Sequence, residues 1–190
     1  MPTRSLFVTS LYEADLGEEA PLGDLGHSIR TLAQDDGAGR SWSKAHHYSG
    51  YTSYASLNDL PKRDPAFADL VKLLNREAKS FARELGWKQT PKLDSLWVNL
   101  LKASGQHSGH IHPHSILSGT FYVEVPKGSG AIRFEDPRLP LMMAAPPRDD
   151  MFLTIEPHRG MLLMWESWLR HEVLAGSGRG ERLSISFNFA

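Results

Sequence analysis

Residues 182–190 read RLSISFNFA, a strict alternation: Leu183, Ile185, Phe187 and Phe189 share one face, and Arg182, Ser184, Ser186 and Asn188 the other. A period of two in Leu, Ile and Phe marks a strand with one face in a core. The polar face has two readings. It either meets solvent or lines a wet cavity, and in the second case Arg182 can make a bidentate pair with a carboxylate. Six more segments of strand length precede it after Pro91: LDSLWVNLLKA, ILSGTFYVEV, AIRFED, MFLTIEP, GMLLMWE and HEVLA, separated by glycine and proline. This succession predicts a mainly β fold with flanking α structure, a β-sandwich or jelly roll.

The N-terminal half is predicted differently. Residues 5–9 (SLFVT) read as a short strand, and residues 16–60 as loops with one short helix. From Asp64 the pattern is helical: Asp64 suits a cap, Pro65 the first turn, and Phe67, Leu70, Val71, Leu74, Ala78, Phe81, Ala82 and Leu85 recur at helical spacing before Gly86. A helix of about 65–85 follows. The proline-rich stretch 137–150 reads as a lid or edge loop. With no internal repeat, residues 1–190 are expected to form one domain, 1–90 as helix and loops and 91–190 as core strands.

Composition narrows the function. Lys and Arg number 21 against 22 Asp and Glu, so no electrostatic footprint for nucleic acid or an anionic membrane is expected. No stretch approaches a membrane span, and residues 1–12 lack signal-peptide character. There is no cysteine, which leaves His, Asp and Glu as metal ligands. A soluble, cytoplasmic protein is the expectation.

Four of the nine histidines fall in residues 107–114, around GHIHPHS at 109–115. In a strand, His110 and His112 point to one side and can share an ion; Pro113 bends the chain before His114. A mononuclear site needs a further ligand, and the candidate is His171, between strand-like segments. A solvated histidine-rich turn is the alternative.

These segments in order, His110-x-His112-Pro, SGTFYV, FEDPR, SWLRH and RLSISFN, resemble the Fe(II)/2-oxoglutarate-dependent oxygenases. Within them they are similar to a bacterial subgroup with the pattern HxHP…SGxxYV…FxDPR…SWLxHxV…RxSxSFN. The resemblance covers roughly residues 95–190. It implies a double-stranded β-helix, a cupin-like jelly roll, with N-terminal helical support. It also implies iron held by His110 and His171, with 2-oxoglutarate as cosubstrate and dioxygen consumed. The family's middle ligand is Asp or Glu, whereas His112 stands here, so a three-histidine site of His110, His112 and His171 is expected. The family's arginine and hydroxyl that hold the distal carboxylate of 2-oxoglutarate map onto Arg182 and Ser184. Tyr122 is a further candidate contact of the cosubstrate, with core or rim packing as the alternative, and Asn99 is a candidate either for contact with the cosubstrate or for support behind the residues that touch it.

The implied reaction oxidises an unidentified substrate, a small molecule or a protein side chain, and releases succinate and CO2. Trp165, Trp168 and the proline-rich loop are candidates to shield it, though core packing explains the tryptophans equally. Two alternatives stay open. One is a cupin-type metal-dependent dioxygenase or isomerase, although the glutamate that cupins place soon after their His pair is missing from PHSILSG. The other is a non-catalytic metal-binding jelly roll, which leaves Arg182 and Ser184 without a task. A homodimer is kept open as the oligomeric state.

Overall fold

The computed structural model describes residues 3–190 except 103 and 148. Its described elements, in chain order, are β1 (Leu11–Asp15), α1 (Leu22–Asp35), α2 (Gly37–Ala45), β2 (Gly50–Thr52), α3 (Leu60–Arg63), α4 (Pro65–Glu84), β3 (Leu93–Lys102), β4 (His107–His110), β5 (Leu117–Glu124), β6 (Ile132–Glu135), α5 (Leu141–Ala144), β7 (Phe152–Ile155), β8 (Met161–Glu166), β9 (His171–Val173) and β10 (Glu181–Phe189). The strands form a six-stranded sheet, ordered β1-β8-β5-β10-β3-β2, and a four-stranded sheet, ordered β4-β9-β6-β7. Every pairing is antiparallel. This is the double-stranded β-helix.

All seven segments expected after Pro91 are strands. The alternation in β10 explains the layering. Leu183, Ile185, Phe187 and Phe189 join Leu96, Val98, Phe121, Leu162 and Met164 beneath α1 and α4, in the larger apolar core. The opposite faces of β5 and β8 meet the small sheet through Tyr122, Leu163, Trp165, Ile132 and Phe134. Helix α4 matches its prediction closely. The Asp64 carboxylate accepts from Ala66 N at 2.8 Å, Pro65 opens the first turn, and Gly86 at φ +75° ends the run. Its buried face, with Phe67, Leu70, Leu74, Ala78 and Phe81, lies on the six-stranded sheet.

Two expectations fail in the N-terminal half. Residues 5–9 form no strand; the strand is β1, whose Leu11 pairs in register with Trp165 of β8. Apolar residues alone do not make a strand without a partner edge, and LYEAD is the segment that reaches one. Residues 16–60 hold two helices, α1 and α2, and the strand β2, with α3 beginning at Leu60, rather than one short helix among loops. Their sequences, such as GAGRSWSKA, are poor intrinsic helix formers, so packing decides them. Asp36 joins α1 to α2: its carboxylate accepts from Gly39 N at 2.9 Å, Tyr51 OH at 2.8 Å and Ser56 Oγ at 2.5 Å. Those bonds hold the carboxyl below its ordinary range against the opposing effect of burial, which is the largest single influence.

Candidate active site

His110 ends β4 and pairs in register with His171, which opens β9. The pleat therefore sets these two rings side by side, their centroids 4.4 Å apart. His112 arrives by another route. It lies past the end of β4, so strand alternation does not aim it; its backbone N–H instead donates to Ser167 O at 3.1 Å. Its Nε2 comes to 3.3 Å from His171 Nε2. His114, at φ +69°, turns the chain away and is outside the cluster.

Ring orientation is set by carbonyls. His110 Nδ1 donates to Ser108 O at 2.8 Å, and His171 Nδ1 donates to Leu169 O at 2.9 Å. Each ring then carries its lone pair on Nε2. One nitrogen from each of His110, His112 and His171 lies within 4.8 Å of the others, close enough for the three to share one ion. Burial pushes His112 down to about 4 and His171 down to about 3. A neighbouring imidazole adds to the first shift, while the Asn188 side chain opposes it; the Leu169 carbonyl opposes the second. Both rings are thus neutral at pH 7, as a metal ligand must be. Trp165 packs edge-on to His171 at 4.5 Å and is itself braced by Phe134. Arg170, paired with Glu135 at 2.9 Å, lies over Gly109, where a Cβ would come within 2.7 Å of its guanidinium.

The three imidazoles open into a cavity of about 590 Å³ between the sheets. The polar face of β10 lines it, so the wet-cavity reading of Arg182, Ser184, Ser186 and Asn188 holds. Arg182 is only 5 % exposed, and its Nη1 donates to Gly130 O at 2.8 Å. Its Nε has no partner within the protein, and its guanidinium stands 5.7 Å from the Tyr122 ring. Among the described residues lining the cavity there is no carboxylate, and Arg182 is the single fixed charge. A buried cation with an idle donor is costly unless an anion joins it. The chamber is built to receive one.

Ser184 faces Tyr122 on one side and Asn99 on the other. Tyr122 is fully enclosed, and burial raises its hydroxyl to about 12 although Arg182 acts against the shift. Asn99 is already committed: its amide oxygen accepts from Thr52 Oγ1 at 2.9 Å and Tyr48 OH at 3.2 Å, and its Nδ2 donates to Ser186 Oγ at 3.0 Å. His107, bonded to Tyr48 OH at 3.0 Å, is lowered to about 4 by burial first and Arg182 second. Sequence reasoning did not single out Tyr48 or Thr52; only a polar, aromatic-rich segment marked them. Of the expected shield, Trp165 lines the cavity. Trp168 is 47 % exposed and lies off it, and the proline-rich loop borders a separate groove with residues 5–11.

Residues 95–188 match the model of the family described as "Putative 2OG-Fe(II) oxygenase". The chain belongs to the Fe(II)/2-oxoglutarate-dependent oxygenases. The oxygenase uses Fe(II), 2-oxoglutarate, dioxygen and an organic substrate. The cupin-type and non-catalytic readings therefore fall away. Among solved structures, a Pseudomonas putida prolyl-4-hydroxylase aligns with TM-score 0.66 at 16% identity, over 95% of this chain and 92% of that one. The epimerase SnoN, in complex with Fe3+, alpha ketoglutarate and nogalamycin RO, aligns with TM-score 0.65 at 16% identity, over 95% and 78%. An oxidoreductase of the 2OG-Fe(II) oxygenase family from Burkholderia pseudomallei aligns with TM-score 0.51 at 16% identity, over 67% of this chain; the match spans only 57% of that protein. These likenesses speak for the fold. No curated protein matches the sequence significantly. Among the described residues, no helix is long and apolar enough to cross a membrane.

Proposed function

We propose that His110, His112 and His171 hold the iron of this oxygenase, and that Arg182 and Ser184 anchor the distal carboxylate of 2-oxoglutarate. The observation that carries the reading is the idle, buried guanidinium of Arg182 in the same cavity as three converging imidazoles. Iron and 2-oxoglutarate, when bound, would let dioxygen act as the oxidant: 2-oxoglutarate would give two electrons and one oxygen atom would enter succinate as CO2 leaves, and the substrate would supply the other two electrons.

The protein's own groups orient and enclose. The Ser108 and Leu169 carbonyls lock two imidazoles with Nε2 inward. Ser118 joins Ser167 at 2.8 Å and donates to Asn188 at 2.9 Å, bracing the segment whose carbonyl holds His112. A guanidinium fork matches a carboxylate in two parallel bonds, and the Ser184 hydroxyl adds a third. Asn99, tied to Thr52, Tyr48 and Ser186, positions the cavity wall rather than the cosubstrate. Trp165 screens His171 from water. With three neutral ligands the protein gives the ion no negative charge, so the cosubstrate's carboxylates supply it. Metal and cosubstrate binding should therefore reinforce each other. We take residues 1–190 as one catalytic unit in the cytoplasm.

The test is anaerobic addition of 2-oxoglutarate to protein with one equivalent of Fe(II). A metal-to-ligand charge-transfer band is expected in the parent protein and should be lost in His171→Ala. A parent protein that binds Fe(II) yet shows no such band would overturn the assignment.

A further inference from the structure

The cavity mouth carries a row of aromatic faces that metal and cosubstrate leave unused. Trp42 lies on α2, Tyr54 just past β2, and Trp97 on β3. Trp42 and Tyr54 are 5.8 Å apart between ring centroids, and Tyr54 meets Trp97 edge-on at 5.3 Å. Trp97 in turn stacks on His112 at 6.1 Å with 25° between planes. The row thus runs from the surface to the ring nearest the reaction. Tyr54 is 60 % exposed, whereas the His46 ring stacks on one face of Trp42 at 4.0 Å. The facing strand β4 and its lead-in bring Gln106 and Ser108, both exposed and neutral, to the same cavity. The one fixed charge among the described lining residues, Arg182, is buried at the cosubstrate end. A charged substrate would leave water here without a counter-charge.

We infer that the substrate of this oxygenase is an uncharged saccharide whose ring stacks on the exposed Tyr54, is walled by the inclined rings of Trp42 and Trp97, and turns its hydroxyls to Gln106 and Ser108. A pyranose has an apolar C–H face and a polar rim, and this mouth has an aromatic wall, the amide and hydroxyl of Gln106 and Ser108, the imidazoles of His46 and His47, and no carboxylate, lysine or arginine among its described residues. The electron-rich faces of Trp and Tyr attract C–H bonds as they attract other positive edges. A plain aromatic ligand would suit the wall but make no use of Gln106 and Ser108. An extended peptide would need an open strand edge for its backbone. The edges at the mouth are β2, three residues long, and β4, four residues long with an irregular register. The inference rests on the cavity being the catalytic site proposed above.

The test uses protein loaded anaerobically with Fe(II) and 2-oxoglutarate. It is titrated with a panel of neutral methyl glycosides and disaccharides, with glucuronate and glucosamine, and with a proline-rich peptide. Tryptophan fluorescence and the charge-transfer band are followed together. Neutral saccharides should quench the fluorescence and shift the band, and Tyr54→Ala and Trp42→Ala should each weaken that response about tenfold. Affinity for 2-oxoglutarate should stay the same in both variants. Silence from every neutral saccharide, equal binding of the charged sugars, preference for the peptide, or indifference to both substitutions overturns the inference while leaving the cofactor reading intact. Failure of the band to form before any saccharide is added overturns the cofactor reading, and the inference with it.

Discussion

Replacing Arg182 by alanine removes a guanidinium that is 5 % exposed and meets the protein through a single carbonyl, Gly130 O at 2.8 Å. No carboxylate among the described cavity residues competes for it, so its charge is available in full to a ligand. Truncating one partner of a buried, hydrogen-bonded charge pair costs about 2–5 kcal/mol, and we expect 2-oxoglutarate binding to weaken by that amount. In affinity this is roughly thirtyfold to several thousandfold. Arg182→Lys keeps the charge but loses the fork and should fall between the two. Ser184→Ala should cost about 1 kcal/mol or somewhat more, as for one hydrogen bond to a charged group. The assay is anaerobic titration of the Fe(II) protein with 2-oxoglutarate, read from the charge-transfer absorption. Thermal unfolding of the metal-free variants guards against misfolding; it should change little, because the arginine is under-partnered before the ligand arrives. Iron affinity without cosubstrate should also be nearly constant across the series. An Arg182→Ala protein that binds 2-oxoglutarate within about twofold of the parent would refute the reasoning.

His171→Ala should abolish stoichiometric Fe(II) binding, whereas His114→Ala, outside the cluster, should leave it unchanged; metal analysis after desalting decides both. His112→Asp restores a negative ligand and should retain iron, while His112→Ala should lower iron affinity clearly; titration of the two variants tests whether His112 is a ligand. His107, His112 and His171 are held neutral by burial, at about 4, 4 and 3, so the unfolded chain binds more protons than the folded one below pH 6.5. Stability of the metal-free protein should therefore be full above pH 6.5 and fall as the pH drops toward 3, by roughly 2 kcal/mol per histidine at pH 5; urea midpoints that do not move between pH 7 and 5 would contradict this. Gly119→Ala would put a Cβ 2.4 Å from the Phe187 ring and 2.6 Å from Leu163 O, so about 1–3 kcal/mol or more of destabilisation is expected from chemical denaturation.

Alternation along 182–190 was enough to separate a core face from a cavity face, because a strand's side-chain period is independent of its neighbours. Helix α4 was legible for a similar reason: cap, first-turn proline and terminal glycine are all local. The sequence also identified His110, His112, His171 and Arg182 as candidates. Chance strands apart, nothing local could say that His110 and His171 would lie in register, since that depends on which edge β9 pairs with. The convergence of His112 was misread as strand pleating, when a hydrogen bond to Ser167, 55 positions along the chain, delivers it. The helices of 16–60 and the true place of β1 were equally out of reach. Their residues have weak intrinsic preference, and burial against the six-stranded sheet decides their conformation. Tyr48, Thr52 and the aromatic row at the mouth became visible only in the fold, because a cavity wall is assembled from segments whose spacing in the chain carries no period.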